Sequence, residues 1–140
     1  MNLKNLLTAP IGVSAVYHGD VRIDVPYGMS VLEIAPEWGD LVVDEIEVYD
    51  GELIVTVGDD RGDNDDFGNE DILGLVPDDQ HIEIDVWTGI RYEVAEGCKS
   101  SLLSEMKGSE LLKWPVMSVS PTAGEGYENT LLITFSKQEE

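Results

Sequence analysis

Apolar and polar residues alternate along much of this chain with a period of two, as a half-buried strand requires, because successive strand side chains point to opposite faces. Val13 to Tyr17 and Val21 to Val25 are two such runs. His18-Gly19-Asp20 between them predicts a hairpin, with Pro26-Tyr27-Gly28 closing the unit. Ser30 to Ile34 reads as a further short strand, stopped by Pro36 and Gly39. The clearest hairpin is DEIEVYDGELIVTV, residues 44–57. Its Asp50-Gly51 pair suits a two-residue type I′ turn, which needs positive φ at both central positions. That turn pairs Val48 with Leu53 and Ile46 with Val55 on one apolar face. Glu47 with Ile54 and Glu45 with Thr56 fall on the opposite face.

The stretch HIEIDVWTGIRYEV, residues 81–94, predicts a second hairpin. A two-residue Thr88-Gly89 turn mixes apolar and charged positions on one face. A three-residue Trp87-Thr88-Gly89 loop keeps them apart, with Gly89 in the left-handed region. It pairs Val86 with Ile90, Ile84 with Tyr92 and Ile82 with Val94 inward, and Asp85 with Arg91 and Glu83 with Glu93 outward. KSSLLSEMKGSELLKW is the one helical stretch, capped by Ser100 or Ser101, with Leu102, Leu103 and Met106 available to face inward. Val116 to Ser120 and Leu131 to Phe135 give two closing strands around the loop PTAGEGYEN. No repeat recurs at a fixed period. The expected fold is α+β and predominantly antiparallel β: about eight short strands in hairpins, as a sandwich or open barrel, with one helix near residues 100–113.

At 140 residues the chain suits a single domain over 1–140, which buries roughly two-thirds of its unfolded surface. Charge changes this picture. The chain carries 29 acids against 8 Lys and Arg, a net charge of −21. Residues 1–36 hold net −1 and residues 97–140 net −2, so the block 37–96 carries −18 with only Arg61 and Arg91 as bases. The densest part is GDDRGDNDDFGNED, residues 58–71, with seven carboxylates from Asp59 to Asp71. Rich in glycine and poor in apolar residues, this stretch is expected to be a mobile loop. A solvation strategy spreads carboxylates over a whole surface, whereas concentration in one block points to an acidic face with a partner.

Candidate chemistry is sparse. Cys98 is the single cysteine, so no internal disulfide forms and a reducing compartment is compatible. Pro10 and Gly12 interrupt the apolar run at the N-terminus, which argues against a signal peptide, and no segment reaches the ~20 apolar residues of a transmembrane helix. The expected location is cytoplasmic, the host cytoplasm if the protein is viral. An EF-hand frame starting at Asp63 finds Asp65 at position 3 but Phe67 at 5 and Gly74 at 12, so it fails. An irregular Ca²⁺ site in the acidic loop stays open, since that ion tolerates varied oxygen geometry. Arg61-Gly62-Asp63 resembles an integrin ligand by chance, given its aspartate-rich flanks. His81, Glu83 and Asp85 line one strand face, but a solvated face explains them without a metal. GxSxG is absent, and Cys98 with His18 or His81 is a dyad on composition alone. Gly124-Glu125-Gly126 sits between strands with Glu125 and Glu128 to repel phosphate, which excludes a dinucleotide loop. No catalytic residue, metal site or cofactor is therefore assigned, and the chain is not expected to be an enzyme.

Carboxylates on neighbouring strands of one face lie ~5–7 Å apart, comparable with phosphates along a nucleic-acid strand. Screening beyond ~8 Å at physiological salt means that only a clustered field reaches a partner. Glu45, Glu47, Glu83, Asp85 and Glu93 are expected to form the ordered part of such a face. Asp59, Asp60, Asp63, Asp65, Asp66, Glu70 and Asp71 supply an adaptable edge. In size and charge the chain looks like phage-encoded nucleic-acid mimics, including anti-CRISPR and anti-restriction proteins. Nuclease-toxin immunity proteins are the neighbouring class. That resemblance implies an inhibitor whose partner is a basic nuclease or other nucleic-acid-binding protein, with no direct contact to nucleic acid or membrane. The alternatives are a structural or assembly β-domain, virion- or tail-like, whose acidity serves solubility, and thirdly a calcium-binding β-domain. Nothing in the sequence sets the oligomeric state.

Overall fold

The computed structural model describes residues 2–8, 11–26, 28–62, 69–106, 114, 116–124 and 127–136. Four hairpins dominate it. The first pairs β1 (Ala15–His18) with β2 (Val21–Asp24), and the second pairs β3 (Leu41–Tyr49) with β4 (Glu52–Arg61). The third joins β5 (His81–Trp87) to β6 (Arg91–Cys98), the fourth β7 (Val116–Gly124) to β8 (Tyr127–Ser136). Asp50 and Gly51 have φ of 52° and 75°, the type I′ signature. The expected register follows from it: Val48 faces Leu53, Ile46 faces Val55, Glu47 faces Ile54 and Glu45 faces Thr56.

Three stretches differ from expectation. Ser30–Ile34 is not a strand: Val31–Ile34 forms a single helical turn, α2. Its cause is a capping box, in which the Ser30 hydroxyl accepts from the Leu32 N–H at 3.3 Å and Glu33 Oε2 accepts from the Ser30 N–H at 2.9 Å. PTAGEGYEN is mostly strand, because β7 and β8 run on until Gly124 faces Tyr127. Pro121 is tolerated there because β7 is an edge strand, where a missing N–H breaks no ladder. The acidic loop is shorter than expected: β4 extends through Asp59 and Asp60 to Arg61, and α3 begins at Asn69 (Asn69–Gly74). The helix expected near 100–113 is present as α4, Lys99–Met106. A further turn, α1 (Leu3–Leu6), is capped by Asn2, whose Oδ1 accepts from the Asn5 N–H at 2.8 Å. Leu3 and Leu6 are both fully buried, so this segment belongs to the core.

The hairpins assemble as two four-stranded sheets, ordered β2-β1-β4-β3 and β6-β5-β8-β7. Both sheets therefore have the same connectivity, each built from two consecutive hairpins. Their outer pairs are antiparallel, but the central pairs, β1 with β4 and β5 with β8, are parallel. A strand can lie parallel to an earlier one only after a crossover. Here α2 and the 3₁₀ turn Pro36–Asp40 provide the first, and the segment containing α4 provides the second.

Val16, Ile46, Leu53 and Val55 of one sheet and Ile82, Ile84, Val86, Ile133 and Phe135 of the other share one buried core, giving a β-sandwich. The open edge of β3 is covered by the chain between the sheets. The Ile46 N–H donates to the Leu75 carbonyl and the Val48 N–H to Gln80 Oε1, both at 2.9 Å. Gln80 Nε2 donates in turn to the carbonyls of His81 and Asn129, at 2.9 and 3.1 Å. One buried amide thus ties the edge of the first sheet to the start of β5 and β8. No described helix is long and apolar enough to cross a membrane.

Candidate functional site

The β5–β6 hairpin carries the densest described group of carboxylates, and its register decides which of them meet. Trp87 faces Arg91 across a three-residue loop, Thr88-Gly89-Ile90, in which the Thr88 N–H donates to the Ile90 carbonyl and Gly89 has a φ of 98°. The loop has the expected length but starts one residue later than expected. Val86 therefore faces Tyr92 and Asp85 faces Glu93. A bulge beyond this pair brings Glu83 opposite Glu96 and His81 opposite Cys98. On the inner side Ile84 faces Ala95 and Ile82 faces Gly97, so small residues oppose the core isoleucines. Leu102 of α4 packs over that gap, 3.8 Å from where a Gly97 Cβ would stand. Tertiary packing by α4 thus replaces the cross-strand apolar pairs that sequence reasoning placed there. Ile90, Tyr92 and Val94, expected inward, are 71%, 44% and 48% exposed on the sheet edge.

This register gathers four carboxylates on the outer face. Oxygens of Glu83, Glu93 and Glu96 lie within 4.8 Å of one another. Asp85 adjoins them, two residues from Glu83 on the same face and directly opposite Glu93. Its Oδ2 accepts from Arg91 Nε at 2.8 Å, while Arg91 Nη2 donates to Thr134 Oγ1 at 2.9 Å. Asp85 Oδ1 is buried and, with all carboxyls ionised, has no hydrogen-bond donor. His81 Nε2 lies 2.7 Å from Glu96 Oε1.

The crowding shows in the titration of these groups. Partial burial pushes the Glu83 carboxyl up to about 7, aided by a hydrogen bond to Asp85 and by the charges of Asp85, Glu93 and Glu96. The hydrogen bond shared with Glu96 raises Glu93, and the bond to His81 holds Glu96 below its ordinary value. A proton on Glu83 gives Asp85 a second donor beside Arg91.

The other expected site residues lie elsewhere. Glu45 and Glu47 stand on β3, in the first sheet, so the single acidic sheet face expected from the sequence is divided between two sheets. Glu47 is raised by partial burial, then by Glu45 and Asp79. Asp59 and Asp60 end β4 in an exposed position, with Asp59 Oδ1 2.8 Å from His18 Nε2. Glu70 and Asp71 fall within α3, while Asp63, Asp65 and Asp66 lie outside the described residues. The structure thus unites Glu83, Asp85 and Glu93 and adds Glu96. Sequence reasoning missed Glu96 because the bulge that rotates it onto this face has no turn residue to announce it. Of the two dyads considered for Cys98, only His81 is a strand neighbour, since His18 belongs to the other sheet. Comparison with protein-family models, characterised proteins and solved structures gave no match.

Proposed function

We propose that this protein is a small acidic inhibitor that occupies a basic nucleic-acid-binding site on a partner protein. The observation that carries the reading is the Glu83, Asp85, Glu93 and Glu96 group, held on rigid paired strands with Arg91 as the only Lys or Arg side chain bonded to it among the described residues. Extended strands space charges at intervals that a phosphate-binding groove can accept. The row of Glu45 and Glu47 on β3 supplies a second acidic surface on the same small body. A field this concentrated accelerates encounter with a cationic surface and repels nucleic acid itself. A partner of the anti-CRISPR target, restriction-enzyme or nuclease-toxin kind fits such a surface.

The test is a host protein captured on the immobilised chain and identified. Its complex is expected to weaken steeply as salt rises toward ~0.5 M, to block nucleic-acid binding, and to be lost in a Glu83→Lys/Glu93→Lys variant. A complex indifferent to salt and to those reversals overturns the reading.

The exposed apolar residues Tyr92 and Val94 on the β6 edge, with Ile90 in the loop before it, favour a second reading, an assembly domain that associates with itself. Sedimentation over a wide concentration range separates the two. Self-association abolished by Tyr92→Lys supports assembly, and a monomer at every concentration removes it.

A further inference from the structure

We propose that the partner docks on the open edge of β6, adding an extended segment of alternating basic and apolar residues as a further strand of the second sheet. The inference rests on the inhibitor reading above and names how that partner is held. The fold closes its sheet edges unequally. The β3 edge is bridged by Asn2 at Val42 and covered by Leu75 and Gln80. At the β7 edge the Gly12 N–H donates to the Val119 carbonyl at 2.8 Å, with Ile11 bridged to Val119. β2 is open but only four residues long, which offers another strand little to pair with. β6 is eight residues long, and among the described residues no backbone group bonds to it from the side away from β5. An uncovered edge of that length is a row of free N–H and C=O groups, a template for another strand.

The two faces of β6 define what that strand must carry. On the outer face Glu93, with Glu96 brought round by the bulge, stands beside Glu83 of β5. Arg91, the base on this face, is already engaged by Asp85 and Thr134. On the inner face Tyr92, opposite Val86, is 44% exposed, and Val94 at the bulge is 48% exposed. Leu102 of α4 covers the strand further along, at Gly97. Side chains of an added strand alternate between the two faces. Lysines or arginines at every second position therefore meet the glutamates at cross-strand distance, and apolar residues between them cover Tyr92 and Val94. A second copy of this chain does not supply that pattern. Pairing β6 with another β6 crowds Glu93 and Glu96 of both copies together, in chains of net charge −21 each.

The probe is a capped peptide in which lysine alternates with valine, titrated against the full chain at ~0.1 M salt and followed by fluorescence anisotropy. Amide hydrogen exchange of β6, read by NMR, reports where it binds. A peptide of equal charge with proline in place of each valine is the control, because it cannot pair along a strand. The expected result is saturable binding, about tenfold tighter for the valine peptide, with alternate β6 amides exchanging about tenfold more slowly in the complex. Glu93→Gln/Glu96→Gln is expected to weaken the valine peptide by about tenfold as well. Equal binding of the two peptides, or binding that leaves β6 exchange unchanged, reduces the contact to charge alone and overturns the proposal. So does β6 protection in the free chain that rises with protein concentration, which assigns the edge to a second copy. The first two results leave the salt-sensitive capture of a whole partner standing. Conversely, a chain that holds the peptide on β6 but captures no nucleic-acid-binding protein removes the inhibitor reading and keeps the docking edge.

Discussion

Glu47 lies on the outer face of β3 with Glu45 and Asp79 near it, and partial burial raises its carboxyl above the usual 4.5. A carboxyl raised in the folded state binds its proton more tightly there than in the unfolded chain. Stability therefore falls as pH rises through the region above 4.5, and the penalty is fully present once Glu47 ionises in the fold. Glu47→Gln removes it. Solvent screens most of this surface interaction, so the expected gain in Tm at pH 8 is about 2–4 °C, fading as the pH falls to 4.5, measured by thermal melts across that range. Lys99 is a buried cation that donates from Nζ to the Val76 carbonyl at 2.6 Å and lies 3.6 Å from Asp78. At this scale the sequence identifies charge but not its surroundings. Nothing local to Lys99 distinguishes it from a solvated lysine, and Glu96 looks no different from any exposed acid.

Single elements were the most legible level, and turns the most legible elements. Asp50-Gly51 determines its hairpin within four residues, and the register across it is the one expected. Gly51 sits at φ 75°, where a Cβ costs roughly 1–2 kcal/mol. Gly51→Ala is expected to lower stability by about 1 kcal/mol in denaturant unfolding, with the slope m unchanged. Gly58, deeper in β4, is constrained by space: a Cβ there would stand 2.7 Å from Asp44 Oδ2. The β5–β6 hairpin was legible in existence and loop length but not in register, because its edge strand answers to α4 and a bulge instead of cross-strand apolar pairing. α2 was misread although Ser30 and Glu33 announce it, since the apolar residues between them fit a strand equally well.

At the scale of the molecule, two hairpin pairs with the same connectivity close on one core, and Gln80 ties their sheets. Gln80→Leu deprives the Val48 N–H of its acceptor and removes the donor to the His81 and Asn129 carbonyls. A buried donor left without a partner costs about 1–3 kcal/mol, so the midpoint of urea unfolding is expected to drop accordingly. An unchanged midpoint would mean that water replaces the amide. The sequence by itself determined the predominance of strand, the first three hairpins, the position of α4 and the concentration of charge between residues 37 and 96. These follow from alternation, turn chemistry and composition, which act over a few neighbouring residues. Only the tertiary structure decided that β1 lies parallel to β4 and β5 to β8, that Glu45 and Glu47 occupy a different sheet from Glu83, and that Glu96 joins Glu83 and Glu93. Those outcomes depend on which apolar faces bury one another across the sandwich and on how Leu102 fills the space above Gly97, and such contacts join residues that no local pattern relates.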